Sequence, residues 1–287
     1  MRKFYLKNET GEEIPLNGEE KIFFSDPSGL GVSYSSSYAD IGKGFFKNTE
    51  KKYPQATIPG TLTFMRTAYE RYLEFINWIE AAQELYLIYR PQTTEYWRRV
   101  ELSYLTKTEL TAGTWMQVPA EFICLSPWYI PTPLNLAFES EPDSVMAYDF
   151  VYDDNLIYGS GSAGEYSAAI TAKGHVPAAL LVEYTGTAVD PVISLTGIVS
   201  GKVYGECRIS GELEATDKIV LSTEYLDSYI KKISADGTET DLLDAVDITA
   251  EPFFRVPLEE PCELSFTADS IMSGTAAAQA FFYYGSV

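Results

Sequence analysis

Along most of this chain apolar residues recur at every second position in short runs, the spacing of strands that bury one face. Lys3 to Lys7 is followed by the turn residues Asn8-Glu9-Thr10-Gly11 and an apolar return at Ile14 to Leu16, which predicts a hairpin. Phe23 and Phe24 run into the Pro/Gly loop Ser25-Asp26-Pro27-Ser28-Gly29-Leu30-Gly31, and Val32 to Tyr38 has the β-branched and aromatic content of another strand. Gly42 to Tyr53 is a polar, lysine-bearing excursion carrying the pair Phe45-Phe46, and Ala56 to Phe64 again alternates. Further strands are expected at Leu85 to Tyr89, Arg98 to Thr106 and Trp115 to Cys124, with Thr111-Ala112-Gly113-Thr114 as a turn.

One segment switches period. From about Thr67 to Ala82, Tyr69, Tyr72, Leu73, Ile76 and Ile79 fall three and four apart, which predicts a single helix with one apolar face. Thr67-Ala68-Tyr69-Glu70 matches a capping box at its start.

At Ser126-Pro127-Trp128-Tyr129-Ile130-Pro131-Thr132-Pro133 three prolines remove amides that a ladder would use, so a linker is expected there, between domains at 1–135 and 136–287. Beyond it, short strands alternate with turn signals, as in a β-sandwich. The expected strands are Val145 to Tyr152, Tyr166 to Thr171, Ala179 to Tyr184, Pro191 to Leu195, Lys202 to Ile209, Lys218 to Ser222, Tyr229 to Ser234, Phe253 to Val256, Cys262 to Thr267 and Gln279 to Tyr284. Asp236-Gly237 signals a tight hairpin. The fold class is therefore mainly β with one helix: an α+β sheet domain followed by a β-sandwich.

Charge narrows the partners. Residues 1–140 carry 14 Lys+Arg against 17 Asp+Glu, whereas residues 141–287 carry 7 against 24, so the surplus of acid lies in the second half. Such a surface repels phosphate backbones, which argues against nucleic acid. The start of the chain lacks the apolar run of a secretory signal, and no apolar stretch approaches the ~18 residues of a membrane span, so no membrane insertion is expected.

Reactive chemistry is sparse. The one histidine, His175, sits in the turn-like Lys173-Gly174-His175-Val176-Pro177 without a nucleophile motif, and is read as a loop residue. Cys124, Cys207 and Cys262 have no metal-ligand spacing and are expected as buried apolar residues. Gly159-Ser160-Gly161-Ser162-Ala163-Gly164 spells G-x-G-x-x-G but lacks the strand-to-helix context that gives the motif its function, and is read as a loop. Acidic groups at Asp153-Asp154, at Glu259-Glu260 and among Asp236, Glu239, Asp241, Asp244 and Asp247 raise paired-carboxylate hydrolysis or weak Ca²⁺ binding, but without flanking signatures. They are read as surface loops. No catalytic residue, metal site or cofactor is assigned.

Five segments in order carry a resemblance: Pro27-Ser28-Gly29-Leu30-Gly31; Gly60-Thr61-Leu62-Thr63-Phe64 leading to Tyr69 through Ile76; Leu85 through Pro91; Lys107-Thr108-Glu109-Leu110; and Leu125-Ser126-Pro127-Trp128-Tyr129. Together they resemble the distal tail protein family of siphophages, the siphovirus-type tail component. Through Pro191 to Leu195, Lys218 to Thr223, Asp236-Gly237 and Phe253 to Leu258, the second half is similar to that family's galectin-like β-sandwich, with Glu259-Glu260-Pro261-Cys262 standing where a glycine turn is usual. The resemblance implies a non-enzymatic virion protein of a phage or prophage tail, made in the bacterial host cytoplasm. It also implies a hexameric ring of N-terminal domains joining the tail tube to the tail-tip protein, with C-terminal domains carrying receptor-binding or baseplate components. Phe45, Phe46, Tyr69 and Tyr72 are the candidate assembly residues. A carbohydrate-binding module is the alternative, although Trp78, Trp97, Trp115 and Trp128 all lie in the first half.

Overall fold

The computed structural model describes residues 2–17, 21–109, 115–140, 164–247 and 249–287. The expected strand Val145 to Tyr152, the turn at Thr111 to Thr114, the pair Asp153-Asp154 and all but the last residue of the glycine motif lie outside them. The chain forms two compact units, Met1–Ile130 with Tyr283–Val287, and Pro131–Phe282.

In chain order the first unit contains β1 (Lys3–Asn8), β2 (Glu13–Pro15), β3 (Ile22–Ser25), β4 (Ser35–Gly42), β5 (Phe45–Lys52), β6 (Thr57–Met65), α1 (Ala68–Ala81), β7 (Leu85–Arg90), β8 (Tyr96–Leu105) and β9 (Trp115–Cys124). β1 pairs with β2 and β7, β7 with β8, β8 with β9, β9 with β6 and β6 with β3, all antiparallel. A bridge between Asn17 and Phe23 returns from β3 to the end of β2, so the ring of pairings closes into a barrel. Closure removes the unpaired edges that a small open sheet would leave. The alternation does the rest: along β9, Met116, Val118, Ala120, Phe122 and Cys124 all point inward. Phe4 and Phe122 each meet Phe24 edge to face, at 5.6 and 5.8 Å between centroids. Gly60 is required beside that cluster, since a Cβ there would stand 2.4 Å from the Phe24 ring.

Helix α1 forms where the period predicts it, but its packing corrects two expectations. Thr67 makes no side-chain capping bond. The buried residues are Ala68 and Phe75, with Tyr72 and Ile79 packed against the core, while Leu73 is 59% exposed. The inward stripe is thus 68-72-75-79: it keeps Tyr72 and Ile79 of the expected one but takes Ala68 and Phe75 in place of Tyr69 and Leu73, because Phe75 seats on Phe64 at 5.6 Å.

β10 (Trp128–Asn135) runs on through Pro131 and Pro133, where a break was expected. Prolines two apart aim their missing amides to the same side of a strand, so the other side can still pair.

The second unit continues with β11 (Ala137–Ser140), β12 (Gly164–Ile170), β13 (Val176–Val189), β14 (Val192–Gly197), β15 (Val203–Arg208), β16 (Glu212–Leu213), β17 (Lys218–Thr223), β18 (Ser228–Ile233), β19 (Glu239–Asp241), a 3₁₀ turn at Leu243–Ala245, β20 (Cys262–Thr267) and β21 (Ser270–Tyr284), whose end reaches the first unit. One sheet has the order β19-β18-β17-β13-β21 and the other β11-β12-β20-β14-β15. Their inner faces meet at Tyr184 of β13 and Phe266 of β20, stacked 4.1 Å apart. A Cβ on Gly274 of β21 would fall 2.3 Å from the Tyr184 hydroxyl, so only glycine fits behind that ring. Phe253 to Val256 is not the expected strand: Val256 makes a single bridge, to Ala178. All three cysteines are buried and free, as expected. Among the described residues no helix is long and apolar enough to cross a membrane.

Candidate assembly surface

Among the described residues β4 and β5 pair only with each other, forming a two-stranded ribbon that lies outside the barrel's ring of pairings. Its turn, Gly42-Lys43-Gly44, has positive φ at all three residues, which suits glycine on either side of the lysine. Every residue of β5 is exposed, and all but Ser36 of β4. An isolated two-stranded ribbon is at best marginal in water, so this one is expected to gain its support from another surface.

What it exposes is apolar. Tyr38 is 63% exposed, Phe45 67% and Phe46 65%, and Ile41 lies open beside them. Pairing of Tyr38 with Asn48 and of Asp40 with Phe46 sets Tyr38 and Phe46 on one face, while Phe45, paired with Gly42, falls on the other. Both faces therefore carry aromatic surface, and contiguous apolar patches of this kind mark interaction sites. Lys43, Lys47, Lys51 and Lys52 ring it with positive charge against Asp40 and Glu50. At its base Tyr34 and Tyr53 pack 5.2 Å apart with the Lys51 ammonium 3.6 Å from the Tyr34 ring. A hydrogen bond with Tyr34 is the main cause that lifts the Tyr53 phenol above its ordinary range.

The helical candidates behave differently from each other. Tyr69 stays partly exposed, its hydroxyl donating to Glu109 Oε2 at 2.5 Å with the Lys107 ammonium 5.2 Å from its ring. Tyr72 turns inward onto Phe64 at 5.6 Å. Leu73, placed on the helix's apolar face by the sequence, joins Tyr69 on the outer face of α1. Tyr38 and Ile41 were missed as surface groups; the signal was the Gly-Lys-Gly turn, which makes residues 35–52 one hairpin.

The acidic loops are tied up locally. Asp236, Asp241 and Asp247 each accept the backbone amide two residues on, and Glu239 pairs with Lys231 at 2.8 Å. Glu260 accepts the amides of Val199 and Ser200 and the hydroxyls of Ser200 and Tyr204. The two hydroxyls first of all hold its carboxyl down to about 2, and the same bond is the main cause that lifts Tyr204 to about 12. Among the described residues no group of three or more His, Cys, Asp or Glu side chains is arranged to hold a metal. His175 lies in the bend before β13.

The fold is that of phage baseplate proteins. A chain of the phage P2 baseplate in its activated conformation with Ca matches with a TM-score of 0.72 at 15% identity over 100% of both chains. The Dit protein (gp 19.1) of SPP1, described as a paradigm of hub adsorption apparatus in phages infecting Gram-positive hosts, matches with a TM-score of 0.56 at 10% identity over 96% of this chain and 98% of that one. No curated protein matches the sequence.

Residues 3–125 match the family model of the distal tail protein, N-terminal domain. The first unit is thus a distal tail protein N-terminal domain, in a chain that shares its fold with phage baseplate proteins.

Proposed function

We propose that this protein is the hub of the tail's distal end: six copies close into a ring through their first units, linking the tail tube to the tail-tip protein. The second units then serve as an outward platform for receptor-binding or baseplate components. The observation that carries the reading is the apolar ribbon on a barrel of the distal tail family, since Phe45 and Phe46 present aromatic surface on opposite faces, as a strand pair inserted between neighbours would need. Charge supports the arrangement, because near-neutral halves pack together at less electrostatic cost than halves carrying 24 acids against 7 bases. The test is the native mass of the purified chain at micromolar concentration by light scattering, with negative-stain imaging. Closed six-membered rings are expected; a monomer at every concentration and salt, including with the tail tube protein added, would refute the ring.

A further inference from the structure

A cavity of about 290 Å³ lies in the first unit at the base of the ribbon, lined by Gly31, Ser33, Tyr53, Gln55, Arg98 and Cys124 among others. Among the described residues no aspartate or glutamate lines it. Arg98 is only 8% exposed. Its Nε donates to the Ser126 carbonyl at 2.8 Å, and its guanidinium carbon lies 5.3 Å from the Trp128 ring centre. Among the described residues neither Nη has an acceptor and no carboxylate pairs with the group. Cys124 does not supply the missing charge, because burial pushes its thiol up and leaves it a neutral S–H. Burial also pulls the Arg98 guanidinium down, although arginine keeps its proton in proteins. A buried cation without a counter-charge is costly, and two free Nη groups form the fork that a carboxylate fits end-on.

We propose that this cavity is a carboxylate site, filled on assembly by an aspartate or glutamate side chain of a neighbouring copy of this chain. Gly31, Ser33 and Tyr53 flank the two strands of the ribbon, so the site is continuous with the surface assigned to assembly. The first 140 residues of each copy, the half assigned to the ring, bring 17 acidic residues against 14 basic ones, so carboxylates are at hand on the neighbouring copy. The occupant rests on the ring reading; the anion site itself does not.

The test uses the full chain. At concentrations where light scattering shows monomer, unfolding midpoints are measured against sodium glutarate and, separately, inorganic phosphate, each matched in ionic strength with chloride. Wild type should show a saturable rise with glutarate that Arg98→Met abolishes. Gln55→Glu places a carboxylate on an exposed cavity residue and so does not depend on tolerating a core change; it should also abolish the response and weaken self-association in chloride at least tenfold. No saturable response of wild type to glutarate, or saturation by phosphate alone, would overturn the site. Glutarate binding with unchanged assembly of Gln55→Glu would overturn the neighbouring carboxylate as occupant. Failure of the ring reading reads differently: wild type stays monomeric while the glutarate response persists.

Discussion

Replacing Phe45 and Phe46 together by alanine removes the largest apolar groups that the ribbon offers. A phenylalanine buries about 150 to 250 Å² when fully covered. With Phe45 67% and Phe46 65% exposed, roughly 100 to 165 Å² per ring remains to be covered by a neighbour, or about 2.5 to 4 kcal/mol at ~25 cal/mol per Å². That is an upper bound, since ordering side chains and docking two bodies take back part of it, and a central aromatic anchor more often contributes about 2 kcal/mol. The pair should therefore weaken each interface by about 4 kcal/mol, or roughly a thousandfold. The monomer should hardly change, because exposed side chains away from a core shift stability by less than about 0.5 kcal/mol. Sedimentation velocity across a dilution series reads the first quantity and urea unfolding of the monomer the second. Assembly of the double variant within threefold of wild type would refute the ribbon as the interface, and a large loss of monomer stability would show that the rings support the barrel instead.

Gly60→Ala forces a methyl within 2.4 Å of the Phe24 ring and should lower the stability of the first unit by about 1 to 3 kcal/mol in urea, whereas Leu73→Ala, on the outer face of α1, should cost far less than Phe75→Ala, for which about 3 to 5 kcal/mol is expected. Glu260 has its carboxyl lowered from an ordinary 4.5 to about 2, so it stabilises the folded state above pH ~4.5, and that contribution fades as pH falls from there toward 2. Thermal unfolding followed from pH 6 to 2 should thus show a steeper acid loss in wild type than in Glu260→Gln. Alkylation of the native protein should leave Cys207 unmodified, because burial lifts its thiol to about 12; rapid labelling at pH 8 would show that the sandwich opens.

The strands of the first unit were legible because its core is read by alternation: Phe4, Leu6, Met116, Val118 and Phe122 recur at every second position and need only one buried face. The same holds for the inner strands of the second unit, as along β13 and β20. Strands written in small or polar residues were not legible. β21 was read only from Gln279 on, because before that it passes through Ser273-Gly274-Thr275 and Ala276 to Ala278, where strand propensity is weak, and it is held by lying beside β13. β19, three exposed polar residues, was legible only through its turn: Asp236-Gly237 signals the hairpin that pairs it with β18. The period gave the helix but not which of two adjacent stripes faces inward. That depended on where Phe64 stands in the barrel to receive Phe75.

The candidate site divides the same way. Phe45 and Phe46 drew notice as an aromatic pair in polar surroundings, because hydrophobicity against context is a local property. That they lie on opposite faces of one ribbon follows from the register of β4 with β5. Arg98 read as an ordinary strand residue, and only the meeting of distant segments around Ser33, Gln55 and Ser126 makes it a buried cation beside a cavity. Alternation and turn chemistry act between residues a few positions apart, so they can be read from the chain; burial, register and unpaired charge depend on contacts across the fold, and those the tertiary structure decides.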